Sequence, residues 1–350
     1  MKKIAFIATI FTLLALFIAC NTDSEKKNPE QAASNGKKIS VVATIYPQYA
    51  WLKEILGKQT DSLDLTLLVK NGMDLHSYKP SAADIATIAK ADMIVYVGGE
   101  SDEWIKKALE ATPNEKRVQV NLLAALGDRV KAEEVVEGMQ AEEEHHHEHE
   151  EHHEHAEDHE EHHEHEAHAE EVENDEHVWL SLKNAEILVM ALADAISKVD
   201  TTHATEYHMN AGLYIAKISA LDAQYRAAMD SATHKTVLFG DRFPFRYLVD
   251  DYGIKYFAAF VGCSAESEAS FETVAFLANK MDSLALPAIF TIDGGNGKIA
   301  QAVLAASKKS KAAEVLTLNS MQSIKTSQMD SANYLDIMRE NLEVIKKALK

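Results

Sequence analysis

Twelve histidines fall between residues 145 and 168, and almost everything between them is glutamate. They are His145, His146, His147, His149, His152, His153, His155, His159, His162, His163, His165 and His168. Imidazole is a common ligand for zinc and related cations, and at neutral pH most free imidazoles are unprotonated. The interleaved carboxylates add negative potential, so the run is expected to bind divalent cations weakly at several places. It cannot bury apolar surface, and a mere spacer would need only glutamate. Four further residues stand beyond predicted strand ends or in loops, where ligands enter open α/β sheets. His76 lies in Asn71-Gly72-Met73-Asp74-Leu75-His76 and His177 in Asp175-Glu176-His177-Val178-Trp179-Leu180. Asp241 follows Gly240 at the end of an apolar run, and Asp293 precedes Gly294-Gly295-Asn296-Gly297. Imidazoles and carboxylates drawn from separate loops suit zinc where nitrogen dominates, and manganese where oxygen shares the site.

Those loops need strands to carry them. Short β-branched apolar runs at 39–45, 63–69, 93–97 and 118–122 alternate with helical segments such as 81–90 and 102–111. That alternation predicts a parallel sheet with crossover helices. A second set of strands is predicted at 236–239, 255–260, 288–292 and 315–318, with helices at 271–284, 296–307 and 334–349. No sequence repeat is visible between the two halves. Residues 183–230 read as helix in two parts. In the second part Tyr207, Ala211, Tyr214, Ile218, Leu221 and Tyr225 recur every three or four positions. This places one apolar stripe on a helix about 40 Å long. The expected fold is α/β, with two lobes, each a small parallel sheet with flanking helices, joined by one long rigid helix. The N-terminal lobe is assigned to 39–203, with an unstructured His/Glu-rich loop at 142–173. The linking helix is assigned to 204–231 and the C-terminal lobe to 232–350.

The formal net charge of -20 is local: residues 142–176 carry about 18 acidic side chains and no lysine or arginine. The remainder is close to neutral, which argues against a nucleic-acid partner. Lys2 and Lys3 precede an apolar run over 4–19 that ends at Cys20, which predicts an export signal. Phe17-Ile18-Ala19-Cys20 resembles a bacterial lipoprotein signal, which would make Cys20 the lipidated first residue and 21–38 a flexible tether. Cys263, the other cysteine, reads as a small buried apolar side chain.

From residue 38 onward the chain resembles the zinc and manganese solute-binding lipoproteins of bacterial ABC transporters. The resemblance rests on Ile45-Tyr46-Pro47, Gly72-Met73-Asp74-Leu75-His76-Ser77-Tyr78 and Ala91-Asp92-Met93-Ile94-Val95-Tyr96. It also rests on Asp175-Glu176-His177-Val178-Trp179-Leu180 and on the terminal helix around Tyr334-Leu335-Asp336-Ile337-Met338-Arg339-Glu340-Asn341-Leu342. It implies a metal held in the cleft between lobes, with His76 and His177 as ligands and Asp293 at an acidic ligand position. It further implies an ABC permease and its ATPase as partners, and a monomer anchored outside the cytoplasm by its lipid. A His-rich loop before the second histidine motif is a feature of the zinc members, so Zn2+ is the expected cargo and Mn2+ the alternative. At the family's third ligand position this chain has Gly240, which has no side chain to ligate. Asp241, a second-lobe acid such as Glu266 or Glu268, or water then completes the shell. Two other functions compete: a surface adhesin or metal buffer working without a transporter, and a zinc hydrolase. For the latter, a His-Glu-x-x-His spacing occurs only inside the interleaved His/Glu run, which reads as low complexity and not as a catalytic helix.

Overall fold

The structure, a computed structural model, describes residues 38–140, 173–264 and 268–349. The export signal with Cys20, nearly all of the tether, the twelve histidines of 145–168 and Glu266 lie outside the described residues.

The first half alternates strand and helix: β1 Ser40–Ala43, α1 Tyr46–Leu56, β2 Asp64–Leu67, α2 Ala82–Lys90, β3 Met93–Tyr96, α3 Glu103–Ala111, β4 Val118–Asn121 and α4 Leu122–Leu126. Two helices follow, α5 Leu182–Val199 and α6 Ala204–Asp230. The second half comprises β5 Thr236–Phe243, α7 Arg246–Tyr252, β6 Lys255–Val261, α8 Phe271–Leu284, β7 Ala288–Ile292, α9 Lys298–Ala306, β8 Glu314–Leu318 and α10 Tyr334–Ala348. The strands form two parallel four-stranded sheets, ordered β2-β1-β3-β4 and β6-β5-β7-β8. The second order repeats the first, so β6 occupies in its sheet the place that β2 occupies in the other.

The predicted stripe on α6 is the face that packs: Tyr207, Ala211, Tyr214, Ile218, Leu221 and Tyr225 are all buried. The helix lies against α1, α5 and α10. One apolar core includes Val41, Met93 and Trp179 together with Phe239, Phe290 and Tyr334, so it continues across both sheets. Trp179 ties the halves directly, its indole N–H donating to the Ser320 carbonyl at 2.9 Å while the Tyr334 hydroxyl donates to the Trp179 carbonyl at 2.8 Å.

Three helices, α1, α4 and α7, were not anticipated from the sequence. In α1, Tyr46, Pro47, Gln48, Ala50, Trp51, Leu52, Ile55 and Leu56 are buried, so the helix has little polar face and no clear amphipathic period. Pro47 sits in its first turn, and the Gln48 side chain accepts from the Thr44 amide at 2.9 Å, holding the entry. The predicted strand at 236–239 continues to Phe243, and its register against β6 shifts between Phe239 and Arg242. An irregularity there breaks the apolar alternation that sequence reading follows.

Candidate metal centre

His76 and His177 are positioned by the same local device. His76 sits in a 3-10 turn, Leu75–Ser77, in the segment that leaves β2, and its amide donates to Asp74 Oδ1 at 3.0 Å. His177 directly precedes the 3-10 turn Val178–Leu180, and its amide donates to Asp175 Oδ1 at 2.8 Å. In each case an aspartate two residues upstream folds back on the histidine backbone and fixes the direction in which the ring leaves the chain.

The two rings meet, with His76 Nε2 lying 3.1 Å from His177 Nε2. Their outer nitrogens are both engaged: His177 Nδ1 is 3.0 Å from Asp175 Oδ1, and His76 Nδ1 is 2.6 Å from Ser101 Oγ. A carboxylate only accepts, so the proton of His177 stays on Nδ1 and its Nε2 carries a lone pair. Ser101 is coupled in turn to Glu176, whose Oε1 accepts from the Ser101 amide at 2.9 Å. In the tautomer in which the Ser101 hydroxyl accepts from His76 Nδ1–H, the second Nε2 lone pair also turns toward the first. In that tautomer a cation can join the two lone pairs. Two nitrogens at zinc–imidazole bond lengths and a tetrahedral angle stand about 3.3 Å apart, close to the spacing found.

Burial governs the ionisable groups around the pair. Burial, with the neighbouring His177 adding, depresses the His76 pKa to about 3, so the imidazole stays neutral and free to ligate across the ordinary pH range. Behind Ser101, burial lifts Asp102 to about 7 against the amide of Val97, and Glu176 adds to the rise. Burial likewise raises Glu176 itself. Gly99 admits the Glu176 carboxyl, since a Cβ there would lie 2.1 Å from Oε1.

A third residue joins the histidines. Ligand atoms of His76, His177 and Cys263 all lie within 4.8 Å of one another, and they are the group of potential ligands found among the described residues. Cys263 follows β6 and is a free thiol, half-buried, where sequence reading assigned it to apolar packing. Its amide donates to Glu133 Oε1 at 3.0 Å. Burial, reinforced by Glu133, Asp175 and Glu176, raises the thiol pKa strongly. The preceding Gly262 brings the chain against the His177 ring, where a Cβ would stand 3.0 Å from Cε1 and 2.8 Å from the Phe243 carbonyl oxygen. A single cysteine in an α/β protein gives no sequence signal for such a role. The glycine before it, in a strand-to-helix loop, is the only hint.

Asp241 and Asp293 are not members of that group. Both line a cleft of ≈ 390 Å³ that also exposes Asp74, His76 and Arg242. Asp241 is turned toward backbone, accepting from the Ile292 amide at 3.3 Å and the Arg242 amide at 3.0 Å. Asp293 accepts from the amide and hydroxyl of Ser320 and, at 3.3 Å, from the Ser323 amide. Glu268 is exposed. Arg242 bridges the cleft, pairing with Asp74 and donating to Gln322 Oε1 at 3.0 Å. Asp74 therefore ties the His76 turn to β5. Gly240 packs on α9, and a Cβ there would lie 2.5 Å from Ala300 Cα and 2.6 Å from its nitrogen.

The chain is similar to known proteins over nearly its whole length. A family model described as zinc-uptake complex component A periplasmic matches residues 41–348. The zinc-binding lipoprotein AdcA of Streptococcus pneumoniae is 30% identical over 355 residues, which cover 99% of this chain but 61% of that protein. The chain thus spans about three-fifths of that relative's length. The high-affinity zinc uptake system protein ZnuA of Bacillus subtilis is 31% identical over 349 residues, covering 99% of this chain and 98% of that protein. The crystal structure of the Zn(II)-bound ZnuA-like domain of Streptococcus pneumoniae AdcA aligns with a TM-score of 0.65 at 25% identity, over 89% of this chain and 99% of that one. The family match takes in both sheets and both histidine turns, and the chain belongs to the zinc-uptake complex component A periplasmic family.

Proposed function

We propose that this chain is the extracytoplasmic solute-binding component of an ABC zinc-uptake system, not an enzyme. It captures zinc between its two halves and passes it to a membrane permease driven by an ATPase. His76 and His177 are the imidazole ligands, and Asp293 and Asp241 are the acidic groups on the cleft wall available to a closing shell. Cys20 carries the lipid that holds the protein, as a monomer, at the outer face of a membrane. The histidines of 145–168 collect zinc weakly.

The observation that carries this reading is the pair of Nε2 atoms at 3.1 Å, each on a ring whose Nδ1 is held by another group. Outer partners of this kind orient imidazole ligands and fix the tautomer that binds metal. The names of the relatives, which state zinc binding and zinc uptake, support zinc as the cargo. Calorimetric titration of the purified protein tests it: one tight zinc equivalent is expected, lost in both His76→Ala and His177→Ala. Tight binding that survives both substitutions would place the site elsewhere. Failure of zinc-limited cells to need the chain would remove the transport role.

A further inference from the structure

We propose that Cys263 supplies a thiolate as the third protein ligand of the cleft metal, completing a two-nitrogen, one-sulfur site built from both halves of the molecule. This rests on the reading of the His76–His177 pair as the zinc site and names the donor that completes it.

Four observations carry it. Cys263, His76 and His177 present ligand atoms within 4.8 Å of one another, and neither Asp241 nor Asp293 belongs to that group. Bond lengths of roughly 2.0–2.3 Å around a tetrahedral zinc separate such atoms by about 3.3–3.6 Å, so an adjustment of about an ångström closes the set. The Cys263 backbone is already held, because its amide donates to Glu133 and the preceding Gly262 lies against the His177 ring.

The fold supplies the second argument. The two sheets share one strand order, with β2 and β6 in equivalent places. His76 follows β2 and Cys263 follows β6. The ligand loops from the two halves are thus topological counterparts facing one another across the cleft.

Third, Gly240 cannot be the source of a donor, since α9 backbone occupies the space of its side chain. Fourth, the carboxylates of Asp241 and Asp293 accept from backbone amides and the Ser320 hydroxyl and stand outside the three-residue group. A thiolate has a consequence for selectivity: a soft sulfur donor favours zinc and disfavours manganese, which prefers oxygen.

Cobalt(II) is the probe, because a thiolate bound to it gives a charge-transfer band in the near ultraviolet. The full chain loaded with one equivalent should show that band, and Cys263→Ser should lack it. Zinc affinity of Cys263→Ser should fall by more than about tenfold, since even outer-shell partners are worth that much. The band in the wild-type protein needs no variant to fold. If the wild type takes up one cobalt equivalent that His76→Ala abolishes, yet shows no thiolate band, the cysteine is not a ligand while the histidine site stands. If no equivalent depends on His76, the zinc-site reading and this proposal fall together.

Discussion

Asp74 and Arg242 are 168 positions apart in the chain and form an ion pair across the cleft. The other oxygen of Asp74 receives the His76 amide at 3.0 Å. One carboxylate therefore holds the histidine turn of the first half and the irregular end of β5 in the second. Trp179 makes a parallel connection through Ser320 and Tyr334. The halves are joined by directed bonds beside the histidine pair as well as by the long helix, so the groups that each half presents to the cleft are held against one another by the fold itself.

The groups behind the histidines should matter to affinity. Ser101→Ala and Asp175→Asn each remove or neutralise the partner of one Nδ1. Each should weaken zinc binding about 10- to 100-fold while the protein stays folded. Calorimetry beside circular dichroism checks this, and wild-type affinity in both would show that the Nδ1 partners do not orient the rings.

Restoring a histidine at the glycine position should fail. In Gly240→His the new Cβ meets Ala300 backbone at 2.5 Å, so α9 or β5 must move. The expected result is a loss of about 1–3 kcal/mol in urea unfolding, typical of overpacking, with no gain in zinc affinity. Tighter zinc binding at unchanged stability would contradict the close packing of α9 on β5.

Replacing residues 142–172 by a short glycine-serine linker should remove the weak zinc sites and leave the tight one. The replacement stops before Glu173, whose carbonyl accepts from the Glu133 amide at 2.8 Å next to a bridge between Ala132 and Asn174. These contacts anchor the segment that ends at His177. Zinc titration of the linker variant gives the answer, and disappearance of the tight equivalent would mean that the replaced residues hold it.

One acid-side effect follows from Asp282 on α8. Its carboxylate accepts from the amides of Lys308, Lys309 and Ser310 at 2.6, 2.8 and 2.9 Å. Burial pushes its pKa up, but these amides outweigh it and hold the value at about 2, below the ordinary 3.8. A carboxyl whose folded pKa is depressed contributes stability above its unfolded value and loses it as pH falls through the folded one. The stability gap between wild type and Asp282→Asn should thus be full at neutral pH and close between about pH 4 and 2. Urea midpoints across that range measure it, and a gap that does not change with pH would sever the link to ionisation.

Sequence alone determined the strand-helix alternation, the two sheets, the stripe that buries α6 and the two histidine turns. Each of these is written in local periodicity or in a short run of residues, such as the Asp-x-His that recurs at 74–76 and 175–177. The four strands of each half could be placed because strand propensity and apolar alternation act over a few positions. Their order could not, since parallel pairing joins distant segments, and the repeated order of the two sheets leaves no trace in the residues. The candidate metal centre divides the same way. His76 and His177 were legible as candidates, but their meeting at 3.1 Å depends on contacts between segments 101 residues apart. Gly240 stood out as a ligand position without a side chain, and the packing of Ala300 shows that none fits there, while Asp241 beside it lines the cleft. Cys263 looked like packing because a lone thiol carries no spacing to read. Its approach to the histidines comes from a glycine pressed on an imidazole and a strand placed opposite β2, which are properties of the folded chain.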